Sequence, residues 1–550
     1  MRVHERVTRY TREPTIDSIA GPFRDLTDRA ALGSTSMGVL LERGSLMRRR
    51  ASVFIAVACT TIALGLTSVP AGAAPSQCGR ANLTPRTLMG CVNLAEVRAH
   101  QRAFQEIADA NGGNRFSGLP GYDASVDYVV ERLEAAGYDP EIQSFDYLAW
   151  AALGPSEFEQ TAPTPTTYVE GEDFEVLQQS DPGDVTASVT AVDLQLGLGN
   201  TSSSGCDTDD YIGFPAGNIA LISRGVCAFG LKATNAFNAG AVGVVIYNNV
   251  PGPIAGTLGN DFTLDIPVTS VSQEVGQQLV ATPGLVLSLT TETFRGEATT
   301  SNVFAEREGK NADNVVMAGG HLDSVDAGPG IQDNGSGSAA LLEVAEQMAK
   351  VKPQNTVRFA WWGAEEAGLV GSIFYVNNLS QPELDEIALY LNFDMVGSPN
   401  HVFFIYDGDD SDAVGAGPGP AGSDLIEEKF EEFFDSRGLP FKGTDFSGRS
   451  DYGPFIAAGV PAGGLFTGAE GIKTVEEAAI WGGTAGEQYD PCYHQACDTF
   501  ANVNLGALDA NSDAIAYATL SYAMSTELIN GEKSKGNFKP GKDPLAPSSS

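Results

Sequence analysis

The feature that most constrains the fold is a regular alternation of short apolar segments and helix-like segments in the second half of the chain. Apolar runs of strand length occur at 314–317, 356–362 and 387–393. Helix-like segments lie between them, at 336–350 and 368–377. Strands that alternate with helices are typical of an α/β domain with a mixed, mainly parallel sheet. We therefore expect a central sheet flanked by helices.

The chain of 550 residues is too long for this domain alone, so two or more domains are expected. Before the alternating region, helices are predicted at 93–111 and 122–136. The segment 160–295 differs because it is rich in Thr, Val and Gly and contains short apolar runs, which indicates a mixed β/α insert. The end, 531–550, is rich in Lys, Gly, Pro and Ser and is predicted to be a disordered tail.

An export signal is predicted near the N-terminus. Met47 and three arginines precede an apolar run from Ala51 to Val69, and small residues follow. This order predicts a signal peptide at 47–73, cleaved near Ala73. The run approaches membrane-spanning length, but its hydroxyl residues and small-residue exit favour cleavage. We therefore expect a secreted protein with no stable membrane insertion after cleavage.

A signal peptide normally begins a chain, yet 46 residues precede Met47. We interpret 1–46 as a misassigned upstream segment and expect translation to start at Met47.

The charge balance excludes one class of partner. The chain carries 33 basic and 70 acidic residues, a net charge of −37. Because such a surface repels phosphate backbones, no nucleic-acid partner is expected.

The cysteines are consistent with export. One of the seven, Cys59, leaves with the predicted signal peptide, and the remaining six form three local groups. In an exported protein an even number of cysteines indicates disulfides, whereas a zinc–thiolate cluster is disfavoured because no Cys-x-x-Cys occurs. The predicted disulfides are Cys78–Cys91, Cys206–Cys227 and Cys492–Cys497.

Acidic and imidazole side chains follow the predicted strands. The candidates are His321, Asp323, Asp333, Glu365, Glu366, Asp394 and His494. Most of them come directly after a strand, at the edge of an α/β sheet where ligands bind. A single acidic residue is usually a solvated surface charge, so the argument rests on the whole set. Imidazole and carboxylate together are ligands that suit zinc.

These motifs resemble those of the exported di-zinc aminopeptidases, such as bacterial leucyl aminopeptidase and fungal aminopeptidase Y. The resemblance covers roughly 90–150 and 300–530 and implies a zinc exopeptidase fold built from 78–150 and 300–530. The matching motifs are His-x-Asp at 321–323, Asp-Asn-Gly-Ser-Gly at 333–337, Glu-Glu at 365–366, Asp-Met-Val-Gly at 394–397 and Tyr-His at 493–494.

The resemblance also implies a role for each residue. Asp333 would bridge two zinc ions, one completed by His321 and Asp394. The other zinc ion would be completed by Glu366 and His494. The remaining roles that it implies are general base for Glu365 and orientation of the His321 ring for Asp323.

The insert resembles a protease-associated domain. The matching runs are 219–229, Ile-Ala-Leu-Ile-Ser-Arg-Gly-Val-Cys-Ala-Phe, and 239–249, Ala-Gly-Ala-Val-Gly-Val-Val-Ile-Tyr-Asn-Asn. The resemblance implies such a domain at 160–295. Domains of this kind usually lie beside or over the peptidase cleft.

The expected reaction is hydrolysis of the N-terminal peptide bond of substrates with a free N-terminus. Two zinc ions lower the pKa of a water or hydroxide that bridges them. Glu365 is expected to take its proton and pass it to the leaving amine, and Tyr493 to hydrogen-bond the oxyanion. Arg449 has two interpretations, a substrate contact at the cleft or a partner of a surface acid.

Other functions stay open. Carboxypeptidases and glutaminyl cyclases share this scaffold, and so does a non-catalytic binding protein, although the complete ligand set argues against the last. A serine hydrolase is disfavoured because 448–452 lacks the final glycine of Gly-x-Ser-x-Gly. A dinucleotide fold is disfavoured because Asp333 stands where its motif requires glycine.

Overall fold

The computed structural model describes residues 78–194, 202–252, 254, 256–259, 261–415 and 417–532. The predicted upstream segment and signal peptide lie outside these residues, as does all of the predicted tail beyond residue 532. The helices are α1 (Pro85–Met89), α2 (Leu94–Ala110), α3 (Pro120–Ala136), α4 (Phe229–Asn238), α5 (Gln273–Val280), α6 (Gly335–Met348), α7 (Val370–Asn378), α8 (Gln381–Asp385), α9 (Ser423–Arg437), α10 (Gly453–Ala457), α11 (Val475–Trp481), α12 (Leu505–Met524) and α13 (Glu527–Asn530).

The strands form two sheets of eight. They are β1 (Glu141–Ala152), β2 (Glu157–Ala162), β3 (Thr166–Tyr168), β4 (Phe174–Val176), β5 (Gly183–Ala191), β6 (Ile219–Ser223), β7 (Gly243–Tyr247), β8 (Val268–Val271), β9 (Val286–Thr291), β10 (Thr293–Arg307), β11 (Asn311–His321), β12 (Asn355–Trp362), β13 (Ile387–Phe393), β14 (Phe404–Tyr406), β15 (Lys442–Thr444) and β16 (Ala462–Phe466).

The first sheet has the order β1-β10-β12-β11-β13-β16-β14-β15. Its centre is parallel, because β11 pairs in parallel with both β12 and β13, and β13 with β16. Strands β1 and β10 add an antiparallel edge. This arrangement confirms the predicted mixed α/β sheet flanked by helices.

The central strands are mostly apolar and buried because helices cover both faces. All seven residues of β13 are buried. On one face the core includes residues of α2, α3, α6, α9 and α12. On the other face Trp362 and Tyr390 pack with residues of α7 and α10, including Phe455. Since the helices close the faces, the carboxyl edge of the parallel strands is the place where polar side chains meet.

Helix ends follow local signals. Gly137, with φ 99°, ends α3 at the predicted position. The predicted start of α7 at residue 368 is two residues early, because Gly368 (φ 100°) and Leu369 (φ 61°) have left-handed backbone conformations. The helix therefore begins at Val370.

The second sheet belongs to the insert and has the order β3-β2-β9-β5-β6-β7-β8-β4. Strands β5, β6, β7 and β8 pair with one another in parallel, β9 and β4 flank them antiparallel, and α4 and α5 pack against this sheet. The chain enters the insert from β1 and returns into β10, and these two strands pair from Glu141–Phe304 to Ala152–Thr293. Beyond that pair, the N–H of Leu153 donates to Glu292 O at 2.8 Å. The insert therefore starts and ends at adjacent points on the edge of the first sheet.

Disulfide bonds join Cys78 to Cys91, Cys206 to Cys227 and Cys492 to Cys497. These are the pairs that the sequence predicts. Within the described ranges, no helix has both the length and the apolar composition needed to cross a bilayer.

Candidate metal centre

Three of the predicted ligands meet at the carboxyl edge of the first sheet. His321 is the last residue of β11, Asp394 follows β13, and Asp333 lies just before α6. His321 Nε2 is 3.2 Å from Asp333 Oδ1 and 3.2 Å from Asp394 Oδ1. The exposed fractions of their side chains are 1 % for His321, 6 % for Asp333 and 12 % for Asp394. We call His321 and Asp394 the closed half of the centre.

The other predicted ligands approach Asp333 from the opposite side. His494 Nε2 is 3.3 Å from Asp333 Oδ2 and 3.0 Å from Glu366 Oε2. The side chain of His494 is 36 % exposed. We call Glu366 and His494 the open half. Asp333 faces the closed half with one oxygen and the open half with the other, as a bridging carboxylate would.

The donor set fits divalent cations. Asp333 forms a group of three potential ligands with each half. In each group, one nitrogen or oxygen atom from every residue lies within 4.8 Å of the others. Glu366 Oε1 is buried and has no hydrogen-bond partner in the described part of the chain. Burial raises the pKa of Glu366, the His494 charge opposes this rise, and the Asp333 charge adds to it. A cation would pair with the orphaned oxygen and relieve the repulsion between the carboxylates, and imidazole with carboxylate is a donor set that zinc prefers.

Glu365 lies beside the closed half but farther from it than the ligands are. Its Oε2 is 3.9 Å from His321 Nε2, and the residue is 9 % exposed. Burial raises the pKa of Glu365 well above its usual value, the positive charge of His321 opposes the rise, and the charges of Glu366 and Asp451 add to it. Cations bound nearby would lower this pKa again. Glu365 is therefore a buried carboxyl group next to the predicted ligands.

Tyr493 and Arg449 lie at the rim of the open half. The Tyr493 ring stacks on that of His494, with centroids 3.8 Å apart. Arg449 Nη1 donates to Glu470 Oε1 at 2.8 Å, and its side chain is 65 % exposed. Burial lowers the pKa of Arg449, but the hydrogen bond and charge of Glu470 raise it. The neighbouring Tyr493 also raises this pKa, and the net change is upward. Arg449 therefore pairs with a surface acid, and its contact with substrate stays a prediction.

Asp323 does more than the sequence predicts. Its Oδ1 accepts the N–H of Glu365 and its Oδ2 the N–H of Glu366, each at 3.2 Å. His321 Nδ1 lies 3.6 Å from Asp323 Oδ1 and 3.2 Å from the backbone oxygen of Asp323, so the nearer acceptor is the backbone oxygen. The carboxylate of Asp323 therefore holds the turn that carries both glutamates, and its backbone oxygen contacts the ring of His321.

Other supporting residues were missed. Ser450 Oγ donates to Asp394 Oδ2 at 2.7 Å, and Asp498 Oδ2 accepts the N–H of Asp333 at 2.9 Å. Asn334 joins β13 to α6, because its side chain donates to Phe393 O and accepts the N–H of Gly337, both at 2.9 Å. Asn334 and Ser450 lie inside motifs that the sequence singles out, but the contacts they make depend on folding.

Arg115 is also a supporting residue that the sequence does not reveal. Its guanidinium is fully buried and donates to the backbone oxygens of Leu322, Pro329 and Gly330. These contacts brace the loop between His321 and Asp333 from behind.

A sheet with paired imidazole–carboxylate groups at its carboxyl edge defines a metallohydrolase-type centre. The sequence pattern of peptidase family M28 matches residues 302–519, and that of the PA domain matches residues 185–279. The chain belongs to peptidase family M28 and carries an inserted PA domain.

Two relatives illustrate this membership. An aminopeptidase of Pseudomonas aeruginosa is 50% identical over 454 residues, which cover 82% of this chain and 84% of the relative. Leucine aminopeptidase 2 of Trichophyton rubrum is 42% identical over 479 residues, 86% of this chain and 92% of the relative.

Solved structures show the same fold. The aminopeptidase from Aneurinibacillus sp. strain AM-1 superposes with a TM-score of 0.63 at 26% identity, covering 79% of this chain and 95% of that one. A zinc aminopeptidase from Bacillus subtilis gives a TM-score of 0.57 at 24% identity, covering 78% of this chain and 95% of that one.

Proposed function

We propose that this chain is a secreted zinc aminopeptidase that hydrolyses the N-terminal peptide bond of peptides. The observation that carries the proposal is the convergence of five metal-ligand side chains on a centre with one closed and one open half. The names of its relatives support the same activity. The predicted signal peptide and the three disulfides support export.

The centre would hold two zinc ions. His321 and Asp394 would hold one, Glu366 and His494 the other, and Asp333 would bridge them. When bound, zinc supplies a Lewis acid that lowers the pKa of a coordinated water and polarises the scissile carbonyl.

The protein groups would then move protons and stabilise charge. Glu365 Oε2 takes a proton from the attacking water and delivers it to the nitrogen of the leaving amine. The Tyr493 hydroxyl donates a hydrogen bond to the oxyanion that forms on the carbonyl. Asp323 keeps Glu365 and Glu366 in place through their backbone N–H groups.

Selection of a free N-terminus follows from the closed half. His321 and Asp394 are almost fully buried, and we take this half as the end of the substrate cleft. The carboxyl groups of Glu365, Asp394 and Asp451 make this end acidic, which favours an α-ammonium group. A carboxypeptidase needs a cationic group for the substrate carboxylate, but Arg449 at the rim is paired with Glu470.

The domain organisation is also proposed. Residues 78–150 and 300–530 would form the peptidase domain, and 160–295 the PA domain, after removal of the leader at 47–73. The matches to the M28 and PA patterns support this division.

The test is a substrate panel with the secreted protein. Peptides with a free N-terminus should be cleaved, N-acetylated versions should not, and blocking the C-terminus should have no effect. Treatment with a strong chelator should abolish the activity, and zinc should restore it. Preference for a free C-terminus, cyclisation of N-terminal glutamine, or full activity after complete metal removal would each contradict the proposal.

A further inference from the structure

A small cavity of about 30 Å³ lies between the insert and the open half of the metal centre. The peptidase domain contributes Phe116, Asp326 and Glu366 to its walls, and β1 contributes Trp150. The insert contributes Gln178 and Gln179. A residue of the insert therefore shares a cavity with a proposed zinc ligand.

Gln179 is unusual in two independent ways. Gln179 is only 3% exposed, yet its Oε1 has no hydrogen-bond partner among the residues that the structure describes. Its backbone has φ 69°, which is uncommon for a residue other than glycine. Buried acceptors are nearly always satisfied, and left-handed residues persist only where the surroundings enforce them. The unpaired acceptor and the left-handed backbone both belong to a residue that lines the same cavity as Glu366.

The turn that carries Gln179 is held firmly. Arg295 of β10 donates to Gln179 O at 3.0 Å and pairs with Asp181 at 2.9 Å. Trp150 Nε1 donates to Ser180 O at 2.9 Å. The two strands that lead into and out of the insert thus fix the turn, so the position of Gln179 is set before any ligand binds.

The open half determines what can reach this cavity. If the free N-terminus of a substrate lies at the closed half, the rest of the peptide must leave past Glu366 and His494. Glu366 lines the cavity, so the cavity borders the open half. A peptide carries a main-chain N–H beyond the cleaved bond, and this donor matches an unpaired amide oxygen.

We propose that Gln179 is a substrate-binding residue whose Oε1 accepts a hydrogen bond from a main-chain N–H beyond the cleaved bond. Trp150 and Phe116 supply the apolar wall beside that part of the peptide. The inserted domain would thereby favour true peptides over small amides of a single amino acid. This inference rests on the proposed aminopeptidase function.

The test compares Gln179→Met with the wild-type protein on two substrates. Leu-Ala-Ala has a main-chain N–H beyond the cleaved bond, whereas leucine p-nitroanilide has none. Methionine keeps the length of the side chain and removes the acceptor. We expect kcat/KM for the tripeptide to fall roughly three- to tenfold, the usual effect of losing one hydrogen bond, with the anilide unchanged.

Thermal unfolding separates binding from a structural role. Because Gln179→Met removes an unpaired buried acceptor, its Tm should equal or exceed that of the wild type. Gln277→Met, on the exposed face of α5, is the control and should change neither substrate.

The outcomes are distinguishable. An active wild type with equal losses, or with no loss, on both substrates in Gln179→Met would overturn this inference alone. A lowered Tm with equal losses would assign Gln179 a structural role instead. A wild type that cleaves neither substrate would overturn the proposed function and this inference with it.

Discussion

The closed and open halves of the metal centre are built in different ways. The closed half stands on the sheet, because His321 ends β11, Asp394 follows β13, and these strands are hydrogen-bonded neighbours. The open half stands on irregular backbone, with Glu366 in a turn and His494 in a loop closed by a disulfide.

The two halves are therefore held in position by different interactions. Strand pairing fixes the closed half, and Ser450 adds a hydrogen bond to Asp394. In the open half, the carboxylate of Asp323 and the Cys492–Cys497 bridge replace the sheet. Substitutions in these supports should therefore act unequally on the two halves.

The largest effect is expected at the two consecutive glutamates, which point into different halves. Glu365→Gln cannot accept a proton, so kcat should fall roughly 10²- to 10⁴-fold while zinc content stays near the wild-type value. Glu366→Gln removes a proposed zinc ligand, so zinc content and activity should fall together. The measurements are kcat and bound zinc by elemental analysis.

The two variants serve as controls for each other, since both replace a buried carboxylate by an amide of the same size. Near-wild-type kcat in Glu365→Gln, or loss of zinc in that variant but not in Glu366→Gln, would show that the roles are wrong or reversed.

A smaller effect is expected at Asp323, the support shared by both halves. In Asp323→Asn one carboxylate oxygen is replaced by an amide NH2 group, which donates and so cannot accept the N–H of Glu365 or Glu366 that this oxygen accepted. Supports of metal ligands typically contribute 10- to 100-fold, so kcat/KM should fall by roughly that factor, with lower zinc affinity. Asp313→Asn, exposed near the start of β11, is the matched control. Activity within about twofold of the wild type would contradict this role for Asp323.

The smallest effect is expected from the disulfide that supports only the open half. Replacing Cys492 and Cys497 by serine should weaken zinc binding up to about tenfold, because the loop that carries His494 gains freedom. In the chain-entropy model this bridge contributes about 2 kcal/mol to the free energy of unfolding, and Cys206–Cys227 about 3 kcal/mol because its loop is longer.

The Cys206→Ser, Cys227→Ser double variant is the control for that prediction. It should lose more stability in denaturant unfolding and keep its zinc affinity in competition with a chelator. If both double variants lost zinc affinity equally, the bridge at 492–497 would have no positional role.

Periodicity predicts the sheet on which the closed half stands well. The strand 387–393 is observed as β13 over the same residues, and the helix at 336–350 is observed as α6 within two residues. These elements are buried on all sides, so their apolar pattern is unambiguous. Long strands β1 and β10 were not predicted, because they are half exposed and their pairing joins residues far apart in sequence.

The open half and the supports depend on more than local pattern. The roles of Glu366 and His494, like those of His321 and Asp394, come from the family resemblance and stay predictions. The hydrogen bonds of Asp323, the brace by Arg115 and the unpaired amide of Gln179 arise between segments that only the fold brings together. No local pattern of apolar and polar residues encodes such contacts.

The position of the insert has a consequence for how the chain folds. The last paired residues of β1 and β10, Ala152 and Thr293, are separated by about 140 residues. Closing a flexible loop of that length costs about 4 kcal/mol more than closing a two-residue turn, since each doubling of length adds about 0.6 kcal/mol. When the insert folds first, Leu153 and Glu292 already lie side by side, and the edge hairpin of the first sheet can form like a local one. The assembly rate of the peptidase sheet is then tied to the stability of a domain that supplies none of its strands.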